Sequence, residues 1–250
     1  ITLENKAYLR YWYEIQDSDV QGKGEDEPHD NSFELWRYYF GIKAQVAPWL
    51  KARFTVDVGK DKAQTSDEAD GHTHETPGDP RYGLYAKYAW LEAKLAPNLY
   101  LKAGILGNFY HALTDKLWGY RFVFKNIGDE EKLWNSADIG VTLRYQLPAG
   151  IGDLLVGAVN GSGYKKALDI DGGKNLWAQA WLYPLAPLGG FGEDIVLGAY
   201  LDYALTFADD EDQLLFYSAL VGYKSELITL AYQFVGQQAE EAGVDDVASG

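Results

Sequence analysis

The sequence contains no cysteine, which excludes disulfide bonds, thiolate catalysis and thiolate metal sites. It also has no apolar run approaching the roughly 18 residues that a membrane-spanning helix needs. Positive charge is in deficit, and the formal net charge of −15 argues against a nucleic-acid partner. Methionine is absent, and position 1 begins in polar, strand-like sequence rather than in a secretory signal, so we expect a mature or partial chain.

Alternation of apolar and polar side chains is what the sequence does contain. In residues 6–15, Ala7 and Leu9 fall on one face of an extended chain, and Lys6 and Arg10 fall on the other. A period of two predicts a β-strand. Tyrosine and tryptophan, with 19 and 8 copies, suit surfaces that are apolar on one side and wet on the other.

The alternation recurs often enough to predict a fold. We expect strands at 4–16, 32–46, 49–59, 83–95, 98–106, 136–147, 152–160, 175–184, 194–205, 214–224 and 227–236. Connectors that tend to alternate short and long favour an all-β, antiparallel, up-and-down transmembrane β-barrel, with residues 1–250 as one domain. Because eleven is odd and bacterial single-chain barrels are normally even, we expect at least one further closing strand and a domain that is incomplete at its C-terminus.

Two irregular segments carry predictions of their own. In the fourth predicted strand, Lys87 and Glu92 fall on opposite faces, which requires a β-bulge or an interfacial strand end. The connector 107–135 is long and rich in aromatic residues. We expect it to fold against the barrel wall or into its mouth, and the alternative is a short extra hairpin at the rim.

The polar face of the predicted strands is rich in basic residues. Its predicted cations are Lys6, Arg10, Arg37, Lys43, Lys51, Arg53, Lys102, Arg144 and Lys224, against the acids Glu14, Asp57, Asp138 and Asp202. Basic rings attract anions into a pore. The alternative is that these cations pair with acids across strands and fill the lumen.

Other candidate sites give weaker signals. Acidic loops at 17–31, 60–82 and 209–212 could hold Ca²⁺ or Mg²⁺, but none has the spacing of a calcium-binding helix-loop-helix, and solvated loops are the favoured interpretation. His72 and His74 lie in one of these loops, and a two-histidine cluster there is more often incidental than a metal site. His111 has no serine beside it in sequence and no catalytic triad is recognisable, so we predict no enzyme, metal or cofactor.

Three segments carry a resemblance to a known family. They read Trp-Gly-Tyr-Arg-Phe-Val from Trp118, Ser-Ala-Asp-Ile-Gly-Val-Thr-Leu-Arg-Tyr from Ser136, and Val-Gly-Ala-Val-Asn-Gly-Ser-Gly-Tyr from Val156. Over about residues 100–185 the chain resembles bacterial outer-membrane porins, most closely the phosphate-selective type. The resemblance implies an outer-membrane channel, a constriction loop and often a trimer. Such porins have about sixteen strands, and no dense arginine ladder is present here, so phosphate selectivity is not implied.

Together these observations predict an outer-membrane porin that forms a passive, water-filled channel for small polar or anionic solutes. The expected pore-lining residues are Arg10, Arg37, Lys43, Lys51, Arg53, Lys102 and Arg144, with Trp118, Tyr120 and Arg121 in the constriction loop. Expected partners are membrane lipid, lipopolysaccharide, the solute, and a homo-trimer or an envelope protein. The alternatives are a structural barrel that sheathes or anchors a partner such as a cytochrome, a soluble carbohydrate-binding β-sandwich, and a barrel enzyme.

Overall fold

The computed structural model describes residues 1–13, 31–60, 82–166, 173–205 and 213–240. These residues form a single antiparallel sheet of eleven strands in which each strand pairs with its neighbours in sequence. The strands are β1 (Thr2–Tyr13), β2 (Asn31–Ala47), β3 (Leu50–Lys60), β4 (Tyr82–Ala96), β5 (Leu99–Gly107), β6 (Ala137–Leu147), β7 (Gly152–Val159), β8 (Lys174–Leu182), β9 (Ile195–Leu205), β10 (Gln213–Lys224) and β11 (Thr229–Glu240).

The prediction of eleven antiparallel strands in up-and-down order is confirmed. Most strand ends lie within two residues of the predicted positions, and residues 14–16 of the first predicted strand lie outside the described residues. The last strand, however, runs on to Glu240, four residues beyond its predicted end at residue 236. In the described part of the chain β1 and β11 do not pair with each other, so the sheet is not closed into a barrel.

The two faces of the sheet differ in character. We call the face on which helix α1 (Phe109–Trp118) packs the inner face, and the opposite one the outer face. Alternation places apolar side chains on the outer face along successive strands. Strongly exposed examples are Leu9, Phe54, Leu84, Leu91, Val156, Leu201 and Tyr232.

The predicted bulge in β4 is confirmed. Thr55 of β3 pairs with Tyr88, and the next residue, Val56, pairs with Ala86. Lys87 is therefore the extra residue, and the bulge lets both Lys87 and Glu92 be buried although their spacing would put them on opposite faces of a regular strand.

The connector 107–135 folds against the inner face of the sheet, as expected of a segment packed on the strands. It does so as helices, so the alternative of a rim hairpin is wrong. The Asn108 side chain caps the N-terminus of α1 by accepting a hydrogen bond from the His111 N–H, and Gly119 ends the helix with a φ of 72°. A second helix, α2 (Ile127–Glu130), is a single turn. None of the helices in the described ranges is long and apolar enough to cross a membrane.

The hydrophobic core lies between α1 and the later strands. Tyr110, Leu113 and Leu117 are spaced to share one face of α1, and all three are buried. They cluster with side chains from the inner face, including Trp177, Val196, Tyr200 and Leu220. This packing fixes α1 over β8–β10 and leaves the inner face of the earlier strands to form a different surface.

Candidate functional site

The inner face of β1–β6 is lined by ion pairs. The Arg37 Nε lies 3.0 Å from the Asp57 carboxylate, and Lys102 Nζ lies 3.0 Å from that of Glu92. Arg144 lies 2.8 Å from Asp153 and 3.7 Å from Glu92. Three of these pairs join neighbouring strands, and the pair between Arg144 and Glu92 spans from β6 to β4 across β5, so the pairs connect adjacent parts of the sheet.

The same pattern continues at the first two strands. Glu4 of β1 accepts both Lys43 at 2.6 Å and Arg53 at 3.3 Å, and Arg10 pairs with Glu34. Six of the seven residues predicted to line a pore are therefore ion-paired: Arg10, Arg37, Lys43, Arg53, Lys102 and Arg144. The seventh, Lys51, is exposed and has no ion pair with a described residue.

The predicted count of acids on this face was too low. Asp57, Asp138 and Asp202 are buried, as their position on that face requires, whereas Glu14 lies outside the described residues. The count omitted the pairing acids Glu4, Glu34, Glu92 and Asp153. Glu4, Glu34 and Asp153 lie near strand ends, and Glu92 lies in β4, the strand that contains the bulge. The inner wall is consequently much closer to charge balance than the sequence alone indicated.

Aromatic rings support several of the cations. The Arg53 guanidinium lies 4.3 Å from the centre of the Tyr88 ring, and Lys102 Nζ lies 4.5 Å from that of Trp90. Lys6 of β1 lies 4.9 Å from the ring centre of Tyr8. A cation over an aromatic face is attracted by the ring's negative quadrupole, so these side chains are held in position even where water has access.

A cavity of about 540 Å³ lies between α1 and β1–β5. Its basic lining residues are Lys6, Arg53, Lys87, Lys102 and Arg121, and its acidic ones are Glu4 and Asp115. Tyr8, Tyr39, Tyr88, Trp90 and Phe109 supply its aromatic lining. Arg53 pairs with Glu4, Lys102 pairs with Glu92, and Arg121 pairs with Asp115 and Asp129. Among the described residues, the basic lining groups that form no ion pair are therefore Lys6 and Lys87.

An electrostatic cluster holds the segment after α1 against the helix. Arg121 donates to Asp115 at 3.0 Å and to Asp129 at 2.8 Å. Asn126 also donates to Asp115, and the His111 Nε2 lies 3.4 Å from that carboxylate. The connector is thus tied together by one guanidinium that is shared between two carboxylates.

The cluster changes the pKa values of its members. Burial acts to raise the pKa of Asp115, but the hydrogen bond from His111, the attraction of Arg121 and the hydrogen bond from Asn126 outweigh it and lower that pKa to about 2. Burial opposes the charged form of Asp129 as well, yet Arg121 lowers its pKa. The two carboxylates in turn overcome desolvation and raise the pKa of Arg121. The cluster therefore stays ionised over the ordinary pH range.

The three predicted constriction residues take different positions. Trp118 and Tyr120 are exposed, and the Trp118 indole N–H donates to the Phe124 carbonyl oxygen at 2.8 Å. Arg121 is half-buried and lines the cavity. Of the three, it is therefore Arg121 that the fold brings to the candidate site.

Sequence reasoning missed two residues that contribute to this region. Lys87 is buried at the bulge and lines the cavity. Tyr164, from the connector after β7, donates its hydroxyl to Asp57 at 2.6 Å. Burial and the nearby Asp57 carboxylate raise the pKa of Tyr164. The bulge prediction gave a signal for Lys87, whereas no local pattern points to Tyr164.

The remaining sequence candidates lie elsewhere. His72, His74 and most of the acidic-loop residues fall outside the described residues. Within the described ranges, no group of three or more His, Asp or Glu side chains is placed to hold a metal ion. His111 contacts Asp115 and also receives a 3.4 Å hydrogen bond from the Trp134 indole, so the cluster in the connector employs both ring nitrogens.

The chemistry that this arrangement supports is recognition. Fixed cations, ring faces and hydrogen-bond donors around a cavity can attract and orient an anionic or polar solute. Neither a protein-family model nor a curated protein matches this sequence.

Proposed function

We propose that this chain forms the wall of an outer-membrane β-barrel that acts as a passive channel for small polar or anionic solutes. The observation that carries the proposal is the contrast between the faces of one sheet. The outer face exposes apolar side chains on successive strands, and the inner face carries ion pairs and a basic cavity. Alternation of this kind is what a strand between lipid and water requires.

The outer face supports contact with lipid. Soluble monomers rarely expose contiguous apolar patches larger than a few hundred square ångströms. Here Phe54, Leu91 and Leu101, on three consecutive strands, are all more than one-third exposed, as are Leu143 and Val156 on the next two. A bilayer would cover this surface without a further protein layer.

The inner face supports a solute path. Salt-bridged strands give a polar wall, and α1 with the connector after it narrows the enclosed space to a cavity. Passive diffusion needs no catalytic group, and wall charges influence which solutes enter. At the cavity, the cations Lys6 and Lys87 form no ion pair with a described acid, and they favour anions there.

The structure disfavours two of the alternative functions, a barrel that sheathes a partner protein and a soluble β-sandwich. A barrel that sheathes a protein would have to displace α1, because α1 and its hydrophobic core occupy the inner face of the later strands. A soluble β-sandwich needs a second sheet over the apolar face, whereas the described residues form one sheet.

Cysteine accessibility combined with conductance tests the proposal, because the chain has no native cysteine. Arg53→Cys and Phe54→Cys place a thiol on adjacent residues of β3, the first beside the cavity and the second on the outer face. Each variant is inserted into a planar lipid bilayer and exposed to a water-soluble, charged thiosulfonate. We expect the reagent to change the conductance of Arg53→Cys and to leave Phe54→Cys unchanged.

Two results would contradict the proposal. If the unsubstituted protein inserts into lipid without conducting, the channel function is wrong although the membrane location survives. If Phe54→Cys reacts in the bilayer as fast as Arg53→Cys, the outer face is in water and the membrane location itself is wrong.

A further inference from the structure

Lys87 is in an unusual position for a charged side chain. It is 4% exposed, yet none of the acidic side chains in the described ranges forms an ion pair with it. Its ammonium donates to the Ser136 hydroxyl and lies 3.9 Å from the centre of the Tyr164 ring. A hydroxyl and a ring face compensate only part of the cost of burying a cation, so the site would be stabilised by an anion.

The bulge explains why a lysine occupies this place. The extra residue interrupts the ladder between Thr55 and Val56 of β3, and Lys87 is inserted between the positions that pair with them. Bulges re-aim side chains and occur often beside functional sites. Lys87 thereby lines the cavity together with Tyr88, whereas regular alternation would have placed only one of these two adjacent residues on the inner face.

The other lining residues indicate which class of anion would fit the cavity. The cavity offers half-buried rings at Tyr39, Tyr88, Trp90 and Phe109 together with its basic groups. Ring edges carry partial positive charge and pack well against other flat rings. A volume of about 540 Å³ lies within the range of pockets for small organic ligands. An inorganic anion would use the charge and leave the aromatic surface uncovered.

We infer that this cavity binds a small aromatic carboxylate, with Lys87 contacting the carboxylate group and the aromatic lining contacting the ring. The inference rests on the proposed function, because it names the class of solute that the inner face selects. Arg53, Lys102 and Arg121 are already engaged by Glu4, Glu92 and Asp115. Lys6 is exposed to water, so Lys87 is the buried cation that lacks an acidic partner among the described residues. Lys87 therefore supplies the cation that pairs with the ligand.

Calorimetric titration of the intact protein in detergent tests the inference with three matched compounds. Benzoate carries a ring and a charge, benzamide carries the ring without the charge, and acetate carries the charge without the ring. We expect benzoate to bind in a saturable manner, at least about tenfold more tightly than either of the others. A charge-assisted hydrogen bond contributes about this factor relative to benzamide, and burial of the ring contributes about this factor relative to acetate. Equal binding of benzamide would overturn the role of charge, and equal binding of acetate would overturn the role of the ring.

A pair of variants assigns the charge to Lys87. Lys87→Gln should weaken benzoate binding about tenfold or more, whereas Lys51→Gln, an exposed lysine of β3 that does not line the cavity, should leave it unchanged. Unchanged binding in Lys87→Gln would overturn the assignment, and the comparison of compounds in the unsubstituted protein stands even if this variant fails to fold. Absence of any saturable binding in a protein that conducts in bilayers would overturn the inference and leave the channel function intact.

Discussion

The hydroxyl oxygen of Tyr110 lies 2.7 Å from that of Ser218, although 108 residues separate them. This contact joins α1 to β10 on the inner face of the sheet. The Tyr110 ring also stacks on Tyr200 of β9, with ring centres 5.4 Å apart and planes 15° apart. Because α1 forms one side of the cavity, the position of this helix sets the size of the cavity.

Removal of the Tyr110 hydroxyl should weaken the attachment of α1 without emptying the core. In Tyr110→Phe the ring remains, and Ser218 keeps its bond to the Phe234 carbonyl. We expect a loss of about 1 kcal/mol in the free energy of unfolding, measured by denaturant titration in detergent with tryptophan fluorescence. Tyr110→Ala should lose about 3–5 kcal/mol and conduct more, since a buried aromatic ring is removed.

Tyr120→Phe is the matched control, because the Tyr120 side chain is 57% exposed. Its unfolding free energy should stay within about 0.5 kcal/mol of the unsubstituted protein. An equal loss in both phenylalanine variants would show that the contact with Ser218 does not anchor the helix.

The Asp115–Arg121–Asp129 cluster should make the order of the connector depend on acid pH. Asp115 has a folded-state pKa lowered to about 2, below the ordinary value of 3.8. A depressed pKa means that the carboxylate stabilises the folded connector above about pH 4. That stabilisation is lost as the pH falls from about 4 through about 2. Hydrogen exchange of residues 109–130, followed from pH 6 to pH 2.5, should show protection decreasing in this window.

Asp115→Asn should remove the pH dependence at its source, and its connector should exchange faster already at pH 6. Glu130→Gln is the control, since Glu130 makes a more exposed pair with Lys125 at 3.4 Å, and such pairs contribute little. If Asp115→Asn lost protection at acid pH to the same extent as the unsubstituted protein, titration of other groups would be the cause of the loss.

The strands could be predicted because each one separates two different environments. Apolar and polar side chains alternate in β3 and β6 with few exceptions, and the period of two identifies such segments without any tertiary information. The bulge was predictable for the same reason, since Lys87 and Glu92 break the alternation of β4 and only an inserted residue lets the chain bury both.

Helix α1 was not predicted, although its signals were present. The aromatic content of its segment indicated docking, whereas the cap at Asn108, the spacing of Tyr110, Leu113 and Leu117, and the stop at Gly119 were what indicated a helix. The ion pairs were less accessible to prediction. Which acid meets which base depends on the register between strands, and a single sequence does not fix that register.

Substitution of Gly104 by alanine should destabilise the pairing of β4 with β5. Gly104 in β5 has a φ of 122°, and a Cβ there would lie 2.1 Å from the Ala89 carbonyl oxygen of β4. Backbone cannot move aside as a long side chain can, so Gly104→Ala should cost about 3 kcal/mol or more of unfolding free energy. Denaturant titration measures the loss.

Gly150→Ala provides the comparison, because Gly150 also has a positive φ of 72° but no atom within 4 Å of the added group. Its cost should be limited to backbone strain, about 1 kcal/mol. Equal costs at the two positions would mean that backbone strain, and not the approach of β4 to β5, requires glycine at position 104.

Charge reversal at Arg53 should shift the selectivity of the proposed channel more than reversal at Arg144. Arg53 lines the cavity, where five basic and two acidic residues become four and three in Arg53→Glu, and the new carboxylate lies near Glu4. Arg144 belongs to the same wall but does not line the cavity. Lys166→Glu, at an exposed position outside the strands, controls for the change in net charge.

Reversal potentials in a planar bilayer under a salt gradient measure this ordering. The unsubstituted protein should prefer anions. That preference should fall most in Arg53→Glu, less in Arg144→Glu, and least in Lys166→Glu, because a fixed charge acts most strongly on an ion that passes close to it. Cation preference in the unsubstituted protein would contradict the proposed selectivity. Equal shifts at Arg53 and Arg144 would instead assign selectivity to the field of the whole wall, and the cavity would then be only one part of the path.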